Sequence, residues 1–280
     1  MALDPAIEEK LARLRERLVE LDSVLVCYSG GVDSAFVLAA AHAALGPRAI
    51  GMTAVSPSLA PGEHEDAVAV AAAIGADHRL VASNEIEDAG YVANNPDRCF
   101  HCKSELYRIA AQKRVEWGLA AILNGTNVDD LGDYRPGLEA ARLAEVVSPL
   151  VELGFTKADV RAGASALGLP IWDKPAAACL SSRIPYGTSV TRERLAQIGG
   201  FEGALKRLGF RQVRVRYHGE LARIELALAE LGRAAEPEMR DAIVAAGKQH
   251  GFKYVTLDLA GYRVGSHNEV LVGKSLRIVS

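Results

Sequence analysis

Long uncharged apolar runs are missing from this 280-residue chain. That excludes a helical membrane span, which needs about 20 consecutive apolar residues. Cysteine is scarce, four residues in all, too few for a disulfide-stapled scaffold. A basic surplus is missing as well: 32 Lys and Arg stand against 35 Asp and Glu, for a formal net charge of −3. Nucleic-acid binders usually carry such a surplus, so no nucleic-acid partner is expected. The opening stretch "MALDPAIEEKLARLRERLVEL" lacks the uninterrupted apolar centre of an export signal. It reads as an amphipathic helix, and a cytoplasmic location is expected.

What is present is an ordinary globular composition, 49% hydrophobic and 24% charged. Apolar strand signals fall at 23–28, 48–56, "DHRLVA", 120–126 and 145–150, with helical patterns between them. Strands alternating with helices predict an α/β fold, a parallel five-stranded sheet with helices on both faces. One of those helices, "PGEHEDAVAVAAAIG", is expected to start near Pro61 and stop at Gly75. A helix "FTKADVRAGASALGLP" precedes a loop rich in Pro, Ser and Gly that runs to Thr191. The domain boundary is drawn there: 1–191 as the sheet domain, 192–280 as a smaller α+β domain.

Three groups of residues carry chemistry. "SGGVDS", Ser29 to Ser34, follows the first strand and opens a helix capped by Asp33 or Ser34. Gly30 and Gly31 permit a tight turn that gathers backbone N–H groups, and a helix start adds positive potential, so the loop suits phosphate. Ser29 and Ser34 can donate hydroxyl hydrogen bonds, and Asp33 is acceptable there if it holds Mg²⁺. The loop lacks the lysine of GxxxxGK[ST] and is not GxGxxG. The alternative is a plain glycine turn. Cys99 and Cys102 in "DRCFHCK" share a helix face three residues apart, suited to a metal, a redox disulfide or simple packing. Cys27 lies inside the first strand and reads as a small buried hydrophobe. Arg183 in "LSSR" and the pair Arg214 and Arg216 on one strand face suit phosphate, or else a salt-bridged surface.

The "SGGVDS" loop resembles that of the ATP pyrophosphatase superfamily, which includes NAD synthetase, GMP synthetase, argininosuccinate synthetase and tRNA thiolases. That resemblance implies ATP cleaved to AMP and pyrophosphate, adenine near Met52 and Thr53 of "GMTAVS", and a further nucleotide contact at Gly125 and Thr126 of "NGTNVDD". The latter stretch reads equally as an Asx turn. In order along the chain, "SGGVDS", "RCFHCKSELY", "NGTNVDD", "YRPGLEAA", "KADVR" and "KPAAACLSSRIPYGT" resemble the LarE family of sulfur transferases. These help to build the nickel-pincer nucleotide cofactor of lactate racemase.

The LarE resemblance implies a small-molecule nucleotide substrate, pyridinium-3,5-biscarboxylic acid mononucleotide, whose carboxylate is adenylated and converted to a thiocarboxylate. It implies Arg183, Arg214 and Arg216 as binders of the substrate phosphate, and a homo-oligomer, trimer or hexamer. It also implies one of two sulfur sources. A lone cysteine at the Cys179 position is sacrificed in one type. In the other, three cysteines hold a 4Fe–4S cluster that delivers an added sulfide; Cys99, Cys102 and Cys179 match that type, so the cluster is expected and Cys179 becomes a ligand. Competing readings are a tRNA thiolase, an amide-forming ligase and a sensing module.

Overall fold

The computed structural model describes residues 4–60, 62–132, 136–175 and 178–263. Pro61, the alanines 176 and 177, and the chain beyond Arg263 lie outside them. The chain runs α1 (Pro5–Glu20), β1 (Val24–Cys27), α2 (Val32–Leu45), β2 (Ala49–Val55), α3 (Glu63–Ile74) and β3 (Asp77–Ala82). Next come α4 (Ala89–Ala93), α5 (Arg98–Glu116), β4 (Ala121–Leu123), α6 (Pro136–Leu143), α7 (Pro149–Glu152) and α8 (Lys157–Ala166). The remainder is α9 (Arg192–Arg207), β5 (Val213–His218), β6 (Leu221–Leu226), α10 (Leu231–Ala235), α11 (Pro237–Gln249) and β7 (Tyr254–Leu257). No described helix is long and apolar enough to cross a membrane.

The described chain forms two compact units. The first runs to Ser56, takes Gly62–Glu85, and continues from Cys99. Its sheet is parallel, in the order β3-β2-β1-β4. Alternation splits β1 between two cores. Val24 and Val26 join Leu14, Phe36, Leu38 and Phe155 on one face. Leu25 and Cys27 join Ile50, Met52, Tyr107 and Ile122 on the other. The strands therefore read as unbroken apolar runs because both faces are covered. Helix α2 is buried almost all round, and a Cβ at Gly163 of α8 would lie 2.7 Å from the Phe36 ring. Only glycine lets those two helices approach so closely.

Two expectations are corrected here. The sheet has four strands among the described residues, where five were expected. The stretch 145–150 contributes one bridge, Val147 to Leu123. Glu145 sits at φ 53 and Pro149 opens α7, so the chain bends before a ladder can form. Helix α2 also starts earlier than expected, with Gly31 at the N-cap, which places Asp33 and Ser34 inside its first turn.

The second unit comprises the stretch from Pro57, Ile86–Arg98 and the chain from Ala178. Residues 178–191 were expected in the sheet domain but group with this unit. The physical reason is a dense set of polar ties. Asn94 Nδ2 donates to the carbonyls of Ile184, Pro185 and Thr188 at 3.2, 2.8 and 2.9 Å. Arg98 donates to Ser181 O at 2.8 Å, and Tyr91 meets the Ser181 hydroxyl. The unit's sheet is β5-β6-β7, antiparallel at the first pairing and parallel at the second.

Candidate functional site

In the first sheet the chain moves from β1 outward to β3 and then returns to place β4 on β1's other side. Strand order reverses between β1 and β4, and the crevice outside their carboxyl ends is where such sheets bind ligands. Ser29–Ser34 leaves β1 there and residues 124–130 leave β4 there. The two loops touch: a Cβ at Gly125 would lie 2.7 Å from Ser34 N and 2.8 Å from the Asp33 carbonyl carbon. Gly30 adopts φ +76, with its missing Cβ 2.8 Å from that of Ala67. Both glycines are thus required by backbone approach rather than by a turn type alone.

The loop's hydroxyls are already organised. Ser34 Oγ donates to Gly31 O at 3.1 Å, so it accepts from Ser29 N and from the Ser29 hydroxyl, each at 3.1 Å. Gly31 N–H points at Ser29 Oγ at a long 3.4 Å, leaving that amide weakly held. Asp33 is bound by the Lys157 ammonium, 2.6 Å from Oδ1, and by Asn127 Nδ2 at 3.2 Å. Lys157 is the first residue of α8, whose Thr156 and Asp159 form a capping box. Asp129 fixes the same point by accepting from Lys157 N at 2.6 Å. Sequence reasoning missed Lys157 and Asn127 as site residues. The available signal was "FTKAD", a capping box with a lysine just inside it.

Residues 124–130 are an Asx-turn relay: Asn124 Oδ1 accepts from Thr126 N, Asn127 Oδ1 from Asp129 N, and Asp130 Oδ2 from Asn127 N. Met52 is fully buried in the sheet's core. Thr53 is buried too and donates to Tyr28 O at 2.7 Å. That uses its one proton, so His78 Nε2 at 2.8 Å is the donor to Thr53. The side chains of Met52 and Thr53 are therefore buried, and Met52 O already accepts from Tyr28 N at 2.9 Å.

Cys99 is exposed and Cys102 half-buried, both free thiols on the opening turns of α5. Lys103 follows them. Crowding by protein disfavours its charge, yet Tyr107 and the thiols of Cys102, Cys27 and Cys99 outweigh this and hold its pKa above the usual lysine value. Part of its surface remains open to solvent. Cys27 is buried, and its thiol is pushed up to about 12 by burial, with Lys103 acting in the opposite direction. It is packing, as its strand position implied.

In the second unit, Cys179 is a half-buried free thiol immediately before a short turn, Leu180–Arg183. Arg183 is almost wholly buried and clamps that turn. Its Nη1 donates to Ala178 O and Cys179 O at 2.6 and 2.9 Å. Its other edge is bound by Glu202, at 2.8 Å to Oε1 and 3.1 Å to Oε2. Arg216 is held in the same way by Glu225, at 2.9 and 2.8 Å, and donates to Ser182 O at 3.0 Å. Arg214 instead donates to Val213 O and lies over the Tyr262 ring. Burial lowers its pKa, and the nearby charges of Arg183 and Arg216 lower it further against Glu202 and Tyr262. The fold thus gathers Arg183, Arg214 and Arg216, with the first and last committed to carboxylates. Among the described residues no three His, Cys, Asp or Glu side chains are gathered into a metal-ligand group.

The first unit, a four-stranded parallel sheet with a Ser-Gly-Gly loop at its switch point, is an α/β unit consistent with the PP-loop fold. A search of family models found no match. Among curated proteins, 265 residues are 47% identical to an uncharacterized protein of Synechocystis sp., covering 95% of this chain and 99% of the relative. The pyridinium-3,5-bisthiocarboxylic acid mononucleotide synthase of Lactiplantibacillus plantarum is 38% identical over 268 residues, 95% of this chain and 96% of that protein. An uncharacterized protein of Methanocaldococcus jannaschii is 26% identical over 258 residues, 91% and 98% of the two chains. The chain belongs to the LarE family, that of the Lactiplantibacillus synthase.

Proposed function

We propose that this protein is an ATP-dependent sulfur transferase that adenylates a carboxylate of pyridinium-3,5-biscarboxylic acid mononucleotide and converts it to a thiocarboxylate. The observation that carries the reading is the Ser29–Ser34 loop with the Lys157 ammonium beside it, in a chain related over nearly its whole length to the bisthiocarboxylate synthase. A carboxylate resists attack by sulfur because it offers no leaving group. Its oxygen attacks the α-phosphorus of ATP and pyrophosphate departs. The sulfur nucleophile then adds to the acyl carbon and AMP leaves.

The residues divide this work. Gly30, Gly31 and the α2 start supply N–H groups and positive potential to the phosphates, and the Ser29 and Ser34 hydroxyls, which now bond within the loop, become further donors by turning toward them. Lys157 supplies the cation that the loop itself lacks, and Asp33, which it now pairs with, is the residue that would hold Mg²⁺ to screen the phosphate charge. Gly125 and Thr126 border the same crevice. Adenine lies against the backbone at Met52 and Thr53. Arg183 positions Cys179 through its carbonyl, and the substrate phosphate goes to the arginine face of the small sheet, where Arg214 makes no ion pair with a carboxylate among the described residues.

Cys99, Cys102 and Cys179, none of them in a disulfide, are the residues that would hold a 4Fe–4S cluster through their sulfurs, although the described side chains are not gathered into a ligand group. When bound, such a cluster supplies an open iron position that carries the sulfide for transfer. The alternative is Cys179 as a sacrificial donor.

The decisive test gives the purified protein ATP and the biscarboxylate mononucleotide. Substrate-dependent AMP and pyrophosphate, with sulfur exchanged for oxygen in the product mass, is the expected result; ATP turnover indifferent to that substrate would refute the reading. Iron bound by anaerobically reconstituted protein and lost in Cys99→Ala, Cys102→Ala and Cys179→Ala supports the cluster. A protein lacking iron that loses the elements of hydrogen sulfide at Cys179 after one turnover supports sacrifice.

A further inference from the structure

A chain of hydrogen bonds enters the Ser29–Ser34 loop from β3, the edge strand two places away from β1. It begins at His78, paired in register with Gly51 of β2. Residues two apart on a strand share a face, so the His78 ring beside Gly51 reaches along to Thr53. A Cβ at Gly51 would lie 2.9 Å from Leu38 Cδ2 and 3.6 Å from His78 Cδ2, so glycine leaves that face its room. Thr53 Oγ1 lies 2.7 Å from Tyr28 O and 2.8 Å from His78 Nε2. A carbonyl oxygen only accepts, so Thr53 gives its one proton to Tyr28 and His78 donates from Nε2. On the other edge of that same peptide, Ser29 N–H donates to Ser34 Oγ at 3.1 Å, and Ser34 donates to Gly31 O at 3.1 Å. Every link points one way, from His78 through Thr53, the Tyr28–Ser29 peptide and Ser34 to Gly31. Hydrogen bonds in series polarise one another, and each makes its neighbour's orientation unique. The His78 ring also meets the Tyr28 ring edge-on, with centroids 5.1 Å apart, and the Tyr28 hydroxyl donates to Ala67 O at 2.9 Å.

We infer that His78 is a positioning residue for the nucleotide loop: as first donor of this relay it fixes the Tyr28–Ser29 peptide and keeps Ser34 a donor, so that a phosphate oxygen replacing Gly31 O meets a hydroxyl already set to give its proton. His78 acts through Thr53 and does not touch the nucleotide. Without its N–H, the buried Thr53 hydroxyl has an unmatched lone pair and less to hold it on Tyr28 O. This rests on ATP being the loop's ligand, so binding is measured apart from turnover.

The probe is ATP with Mg²⁺, titrated by calorimetry into the full chain with no mononucleotide present. His78→Phe keeps a ring against Tyr28 but has no N–H, and it is expected to raise Kd for ATP about three- to tenfold, the loss of one neutral hydrogen bond. His78→Gln, whose amide donates from nearly the place of Nε2, should recover most of that affinity. Thr53→Val should weaken ATP at least as much as His78→Phe. Combining the two should cost nothing more than Thr53→Val alone, because the relay is then already cut. In turnover, His78→Phe should raise KM for ATP while KM for the biscarboxylate mononucleotide and kcat at saturating ATP hold. An equal loss in His78→Gln, or penalties that add in the double variant, would overturn the assignment. A lower Tm in His78→Phe with an unchanged Kd would reduce His78 to packing. A wild-type protein without affinity for ATP overturns the proposed function and the role of His78 with it; ATP bound with an affinity that ignores His78 overturns only the latter.

Discussion

Three thiols of the first unit differ mainly in what surrounds them. Cys27 is walled in by Leu25, Ile50, Met52 and Tyr107 neighbours of its core, and burial pushes its thiol up to about 12. At pH 8 it is protonated and inaccessible, so it is neither nucleophile nor ligand. Cys99 is exposed and Cys102 half-open on the first turns of α5. Brief treatment of the native protein with iodoacetamide at pH 8, read by peptide mass spectrometry, should label Cys99 first and leave Cys27 unmodified. Labelling of Cys27 at a comparable rate would mean that the β1 end opens in solution. The same contrast separates Arg214 from Arg183. All the arginines of the second unit look alike in a motif, but a guanidinium already held by Glu202 has little left to offer a phosphate.

Among the elements, α8 links stability to the Ser29–Ser34 loop, through Lys157 and Asp33. Its capping box satisfies N-terminal amides, and Asp159 also pairs with Lys10 at 2.6 Å. Burial alone would raise the Asp159 pKa, but the hydrogen bonds from Lys10 and Thr156 win and hold it below the usual aspartate range. A depressed carboxylate stabilises the fold above its unfolded pKa, and that contribution disappears as pH falls through the lower folded value. Thr156→Ala removes the cap at a cost of about 1 kcal/mol. Because Lys157 is the next residue, the variant should show both a lower Tm and a higher KM for ATP, with the Tm loss smaller below about pH 4 as Asp159 nears protonation in both states. A Tm change with an unaltered KM would show that the first turn of α8 does not govern the lysine.

On the scale of the whole molecule, Asn94 organises the second unit's long loop. It sits at φ 55, is fully buried, and its amide reaches three carbonyls of residues 184–188 while its carbonyl accepts from Arg98. Asn94→Ala leaves those groups buried without partners, at about 1–3 kcal/mol for each unmatched group. Thermal unfolding should move down by several degrees and sulfur transfer should fall, because the turn holding Cys179 is continuous with that loop. ATP binding, which the proposed function assigns to the first unit, should persist. A variant with wild-type transfer activity would free Cys179 from this dependence.

Much of this was legible in the linear chain. An apolar strand followed by Ser-Gly-Gly-x-Asp-Ser announces a tight strand-to-helix turn, because glycine alone allows the backbone approach found at Gly30. The small mixed sheet was readable from "RQVRVRYHG" and "ARIELAL", since alternation at period two survives in isolated strands. The fifth strand misled because "EVVSPL" has strand composition, while the bend at Glu145 and the helical start at Pro149 act on geometry that composition does not record. Lys157 was hidden for another reason. Its partner, Asp33, lies far away along the chain. Local chemistry sets which groups can bind an anion; pairing across the fold consumes some of them and leaves others unmatched, and only the three-dimensional arrangement decides which.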